Sequence, residues 1–164
     1  MKMRMSHIQA LRRPAQAGFT MVEVLVALVV LAIGLLGIAA LYLNSLQSGR
    51  TAIYRTQAVN LAADLADRIR ANRTAQAAYG TVFADTEVAV PACDGTGGCS
   101  DADLAATDLS RWKATLDERL PNGEGQVVVT LPVGPGEPAN YVVTVQWAEV
   151  GEAAQVTFQI GFAT

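Results

Sequence analysis

The hydrophobic pattern of this chain changes character four times. From Met21 to Leu43 apolar residues follow one another almost without a break, and Glu23 is the only charge among them. A run of that length suits a transmembrane helix, which needs about 20 apolar residues. Beyond it Leu61, Leu65 and Ile69 recur at four-residue spacing, with Ala58 and Ala62 beside them. That is a single apolar stripe, as packing on a domain requires. No proline occurs between Phe19 and Pro91. The pattern therefore predicts one helix from about Thr20 to Asn72, roughly 80 Å long at 1.5 Å per residue. Gly34 and Gly37 interrupt its helix formers. They allow close helix packing or local extension, and glycine is also common in membrane helices. The pattern does not choose among these.

Residues 74–106 are rich in Ala, Gly, Thr and Asp and have no clear period, which predicts a loop-rich connection. Leu109, Trp112, Leu116 and Leu120 then share one face of a short helix. Thr107 or Asp108 is the expected N-cap, and Pro121 with Gly123 the expected stop. The last third alternates with period two. Val127, Val129 and Leu131 share a face, as do Tyr141, Val143, Val145 and Trp147, and again Val156, Phe158, Ile160 and Phe162. Gly134-Pro135-Gly136 and Gly151-Glu152 suit the turns between them. Three successive strands predict an antiparallel sheet. Its apolar face needs a cover, which the second half of the long helix can supply. The aromatic residues are then core rather than a ligand platform, and Glu149 is expected at the sheet edge. The fold class is α+β, a long N-terminal helix packed on a small antiparallel sheet.

Charge adds orientation. Residues 1–18 carry Lys2, Arg4, Arg12 and Arg13 and no acid. Positive charge on the N-terminal side of a span places that side in the cytoplasm. An ordinary signal peptide would have a shorter apolar core and small residues after it; here Ala15, Ala17 and Gly18 come before. Without the four basic residues of that leader, the 12 Lys+Arg fall to 8 against 15 Asp+Glu, a net charge near −7. Such a balance argues against nucleic-acid binding, which needs a basic patch. Arg68, Arg70 and Arg73 interleave with Asp64 and Asp67. Asp64 and Arg68 have the favourable i,i+4 order, and the cluster reads as a solvated helix face.

Two cysteines, Cys93 and Cys99, flank a glycine-rich turn. An even count in an exported segment points to a disulfide. Zinc normally needs four Cys or His ligands, and the one histidine, His7, lies in the leader. A redox pair usually has C-x-x-C spacing, and this pair is wider. Without a histidine after the leader, the usual general base and any Ser–His or Cys–His pair are missing. No Gly-Lys-Ser/Thr phosphate loop is present. The sequence thus offers no catalytic residues, no metal site and no cofactor site.

One charge inside the span stands out. An isolated carboxylate in a bilayer costs roughly 2.5–3.5 kcal/mol at mid-depth on insertion scales. The stretch from Gly18 through Phe19-Thr20-Met21-Val22-Glu23 to Leu28 resembles the N-terminus of the type IV prepilins. The resemblance implies cleavage after Gly18 by a prepilin peptidase and N-methylation of Phe19. It implies that Glu23 pairs with the N-terminal amine of a neighbouring subunit, and a buried carboxylate is tolerable when an ammonium compensates it. It divides the chain into a leader (1–18), a long helix (19–73) whose first half spans the membrane, and a head (74–164). The implied location is the bacterial inner membrane with a periplasmic head, then the pilus.

Asp64-Leu65-Ala66-Asp67-Arg68-Ile69-Arg70-Ala71-Asn72-Arg73 is similar to a segment of the PilV type of minor pilin. So are Asp108-Leu109-Ser110-Arg111-Trp112 and Leu120-Pro121-Asn122-Gly123-Glu124-Gly125. That resemblance implies a structural subunit rather than an enzyme, one that primes assembly or sits in a tip complex. Its partners would be other minor pilins, the major pilin and the inner membrane, with a tip adhesin as a further candidate. A minor pseudopilin of a type II secretion system has the same leader chemistry. A single-pass anchored enzyme or binding module is the alternative of another class.

Overall fold

A computed structural model describes residues 18–85, 89, 93, 98–134 and 136–164. Most of the expected leader, the turn 94–97 between the cysteines, and Pro135 of the second turn lie outside the described residues. The chain divides into two units, Met1–Leu43 and Asn44–Thr164. Helix α1, Met21–Ala71, contributes to both. It begins two residues after Phe19 and ends two before Arg73.

In the first unit every described residue is exposed. An 18-residue window of α1 reaches a mean hydropathy of 3.1, enough to cross a membrane by length and composition. The exposed side chains include Leu25, Leu28, Leu31, Leu35 and Ile38. A surface apolar on all sides is what lipid or a helix bundle solvates and what water does not.

The second unit holds the core. It contains the rest of α1, a 3₁₀ segment Arg73–Tyr79, helix α2 (Asp101–Arg119), and strands β1 (Glu124–Thr130), β2 (Asn140–Trp147) and β3 (Val156–Ala163). The strands form one antiparallel sheet in the order β1-β2-β3. The stripe Ala58, Ala62, Leu65 and Ile69 of α1 is fully buried. It joins Leu109, Trp112 and Leu116 of α2 and Val127, Tyr141, Val143, Val145 and Trp147 of the sheet in one cluster. Each large side chain removed from water there contributes about 1.5–3 kcal/mol. The α+β class expected from the pattern is the class observed, and the two tryptophans are core.

The connection between the helices is more ordered than its composition predicts. α2 starts at Asp101, well before the expected caps Thr107 and Asp108. Ser100 and Asp103 form a capping box: the Asp103 N–H donates to Ser100 Oγ, and the Ser100 N–H donates to the Asp103 carboxylate. That box satisfies two orphan donors at once, so it fixes the start and leaves Thr107 and Asp108 buried inside the helix. The 3₁₀ segment ends in a fully buried Tyr79, and Lys113 Nζ donates to Thr81 Oγ1, Val82 O and Asp85 O, holding residues 81–85 against α2.

After α2 the chain turns at Pro121-Asn122-Gly123, with Asn122 at φ 50°, a conformation Asn adopts at low cost. Gly123 lies against the Leu116 carbonyl and Gly125 against the Trp112 ring, so closely that a Cβ at either place would collide. The glycines of the Leu120–Gly125 segment therefore let α2 fold back onto β1.

Candidate functional site

The residues expected to be functional fall into three places. Gly18 and Phe19 precede α1 and are exposed. Thr20 supplies the N-cap: the Glu23 N–H donates to Thr20 O at 3.1 Å and to Thr20 Oγ1 at 3.3 Å. Glu23 thus stands at the third position of the helix, where a carboxylate faces the positive end of the helix dipole. Thr20-x-x-Glu23 has the spacing of a capping box, a signal present in the sequence that the apolar run overshadows. Among the described residues no ion pair involves Glu23.

The second place is the cysteine pair. Cys93 and Cys99 form a disulfide across six residues, with Cα atoms 5.3 Å apart. It ties residue 93 to the approach of α2, one residue before the Ser100 cap.

The third place lies between α1, α2 and the sheet, and the sequence did not announce it. Arg68 Nε donates to Asp64 at 2.9 Å, as the i,i+4 spacing predicts. Its Nη1 also donates to Asp108 at 3.0 Å, and the Tyr79 hydroxyl donates to the other oxygen of Asp108 at 2.9 Å. Asn72 donates to Tyr79 and to the Asp101 carbonyl. The arginine cluster is therefore not simply a solvated face; Arg68 turns inward to a buried carboxylate. Burial pushes the Tyr79 phenol well above its ordinary range, and Asp108 adds to the effect. Burial works against the Arg68 charge, and its bonds to Asp108 and Asp64 more than offset this.

Glu149, expected at the sheet edge, lies just past the end of the central strand β2. It is buried, and Arg55 of α1 grips it with two hydrogen bonds, Nε to Oε1 at 3.1 Å and Nη2 to Oε2 at 3.0 Å. The Trp147 indole N–H donates to Oε1 at 3.0 Å. The Arg55 hydrogen bonds hold the carboxyl below its usual range, against the opposing effect of burial. At the other end of the sheet the Arg70 guanidinium lies 4.5 Å from the centre of the Phe162 ring. The Trp112 indole donates to the Leu61 carbonyl. These contacts fasten residues 55–70 of α1, and Asn72 just beyond it, to the head. Each is a hydrogen bond, ion pair or ring contact between the helix and the head, an arrangement that works as a structural lock.

Two family models match the chain. The prokaryotic N-terminal methylation motif matches residues 13–39, and the type IV pilin Tt1218 family matches residues 40–110. No curated protein and no solved structure matches significantly. The first match covers Gly18, Phe19 and Glu23; the second covers the helix stripe, the cysteines and the start of α2. By motif at its N-terminus, by family match through its middle, and by the α+β fold of a long helix with a small antiparallel sheet, the chain is similar to the type IV pilins.

Proposed function

We propose that the protein is a minor pilin of a type IV pilus, of the PilV type, which primes assembly or forms part of the tip complex. The observation that carries this reading is the N-terminal methylation motif running directly into an apolar helix with Glu23 as its one charge up to Leu43. A prepilin peptidase cuts after Gly18, and the new N-terminus at Phe19 is methylated. The helix anchors the subunit in the inner membrane, with the head on the periplasmic side, until it enters the pilus among other minor pilins and the major pilin. Glu23 then compensates a neighbour's N-terminal ammonium, since an unpaired charge in an apolar bundle is destabilising. The resemblance of three segments to the PilV type supports the subtype. These segments include Arg68, Asp108, Trp112 and Gly125, the residues that lock helix to head and close the α2–β1 turn.

N-terminal mass spectrometry of the exported protein tests the reading. The expected chain starts at a methylated Phe19; a start at Met1, or beyond the apolar run, overturns it. Glu23→Gln tests the pairing role. The variant should insert and fold as the parent does and enter sheared pili poorly. Glu118→Gln, at an exposed position, is the control; Glu149 is unsuitable because it is buried and ion-paired. Parent-level Glu23→Gln in pili would remove the pairing role.

A further inference from the structure

Within Asn44–Thr164 the helices α1 and α2 run antiparallel, as their cross-links show. Asn72, just past α1, meets the Asp101 carbonyl, Arg68 meets Asp108, and the Trp112 indole meets the Leu61 carbonyl. Beside that last bond the two helices enclose a groove of about 390 Å³, within the roughly 300–1,000 Å³ of ligand sites. Asn60, Asp64 and Arg68 form one wall at four-residue spacing, and Arg111, Thr115 and Arg119 form the other. Residues four apart lie on one helix face, so each wall is a polar ladder. Gln57 extends the first wall by a turn.

The groove reverses the charge of the chain around it. After the leader the net charge is near −7, yet three of the eight Lys+Arg that remain line this groove. Asp64 is the only acid among the described lining residues, and Arg68 already neutralises it at 2.9 Å. The Nη2 group of Arg68 has no acceptor among the described residues. Arg119 has neither an ion pair nor a hydrogen bond among them. Asp117 and Glu118 are outside the lining, since residues one or two apart on a helix do not face each other. Gln57 and Asn60 make no hydrogen bond among the described residues, and Gln57 Oε1 is buried without a partner. An acceptor left unmade is costly. Unused cationic donors and unused amides thus share one groove.

We propose that the α1–α2 groove binds an extended acidic peptide segment of a different subunit. Its Asp or Glu side chain sits on Arg119 and the outer N–H groups of Arg68, and its flanking peptide groups bond to Gln57 and Asn60. Guanidinium groups match carboxylates with paired N–H donors. A side-chain amide has a donor end and an acceptor end, and a peptide group is its complement. Turning the Gln57 amide outward breaks no hydrogen bond. An inorganic dianion would meet the arginines but could not serve both ends of the amides, and its second charge would oppose Asp64. A helical segment does not fit either, because a helix spends its own N–H and C=O groups internally. A second copy carries the same net charge near −7, and like charges repel. That the partner is a pilus subunit rests on the pilin reading.

The full chain in detergent is titrated with three probes while its arginine Nε–H signals are followed by NMR. The probes are acetyl-Gly-Asp-Gly-Glu-Gly-amide, the same peptide with Asn and Gln in place of its acids, and inorganic sulfate. The acidic peptide should shift the Arg119 and Arg68 signals saturably, and the other two probes should bind at least about tenfold more weakly. Arg119→Gln should weaken the acidic peptide by about tenfold or more, the scale of a lost charged hydrogen bond. Glu118→Gln, exposed and outside the lining, should leave it at the parent value. Gln57→Leu should weaken the peptide and leave sulfate unchanged, so it decides the matter if Arg119→Gln misfolds. No saturable response, sulfate binding as tightly as the peptide, or parent-level binding in the folded variants overturns the proposal.

The occupant is identified in the native host with a photo-crosslinking amino acid in place of Glu118, next to Arg119 in sequence. The crosslinked peptide should come from a different protein and carry Asp or Glu near the point of attachment. A crosslink to a second copy, to a peptide without an acid, or to nothing overturns the assignment. The titration does not depend on the pilin reading: its failure overturns the groove even where methylated Phe19 is found as the mature N-terminus. Binding of the acidic peptide, with a crosslink to an acidic segment of a protein absent from sheared pili, supports the groove and rejects the pilin assembly.

Discussion

Two buried polar residues of the head carry opposite expectations for stability. The Tyr141 ring stacks on Phe162 with centroids 5.4 Å apart. Its hydroxyl is buried with no hydrogen-bond partner among the described residues, and burial alone pushes its phenol above the ordinary value. A buried donor left unmade costs about 1–3 kcal/mol. Tyr141→Phe should therefore leave the stack in place and raise stability by up to about 1 kcal/mol in urea melts; a clear loss would reveal a partner for the hydroxyl.

Glu149 is the reverse case. Arg55 lowers its pKa in the folded head, so the carboxylate contributes stability above its ordinary value of 4.5. That contribution is lost as pH falls from about 4.5 through the folded pKa. Glu149→Gln keeps an acceptor for Trp147 and removes the charge. It should cost about 1–2 kcal/mol at neutral pH and lose less stability than the parent on acidification below about 4.5. Parallel pH curves for the two proteins would show that Glu149 does not supply this stability.

The start of α2 is decided by its cap rather than by its apolar face. A face read from Leu109, Trp112 and Leu116 locates only the part of the helix that meets the core. The first two turns, from Asp101 to Asp108, depend on Ser100 and Asp103. Ser100→Ala should cost about 1 kcal/mol and Ser100→Gly only a few tenths, as N-cap substitutions do. Equal effects, measured by chemical denaturation, would mean that the disulfide at the adjacent Cys99 holds the start without help from the cap. The same early start brings Asp108 within reach of Arg68 and Tyr79. A helix capped at Thr107 or Asp108 would place that carboxylate at the solvated end instead.

The division of the chain into units has a direct consequence. The buried core and the ion pairs described above, such as Arg55–Glu149 and Arg68–Asp108, lie within Asn44–Thr164. A chain beginning at Asn44 should therefore be water-soluble, monomeric in its core contacts and cooperatively folded. Circular dichroism and a single urea transition would verify this; an aggregated or unfolded product would mean that residues 18–43 contribute to the head. Reduction of Cys93–Cys99 in that fragment should lower stability by less than the roughly 3 kcal/mol that chain entropy assigns to a 15-residue loop. The closed loop here is shorter, so the head should stay folded when reduced.

Local pattern was sufficient for what depends on neighbours in sequence. The apolar run with its single Glu23, the α1 stripe of Ala58 to Ile69, the three alternating strands and the closely spaced cysteines are each written within a few residues of one another, because helical and strand periods are local properties. The motif at Gly18–Glu23 is local for the same reason, and the methylation-motif match falls on it. Folding alone decided what depends on residues far apart. Arg55 and Glu149 are 94 positions apart, and Arg68 and Asp108 are 40. No period in either segment records the other, so a charge that reads as solvated becomes a buried partner only once α1, α2 and the sheet meet. The outer edge of β3 belongs to the same class: alternation shows that it is a strand, but strand order and register determine which of its amides point away from β2.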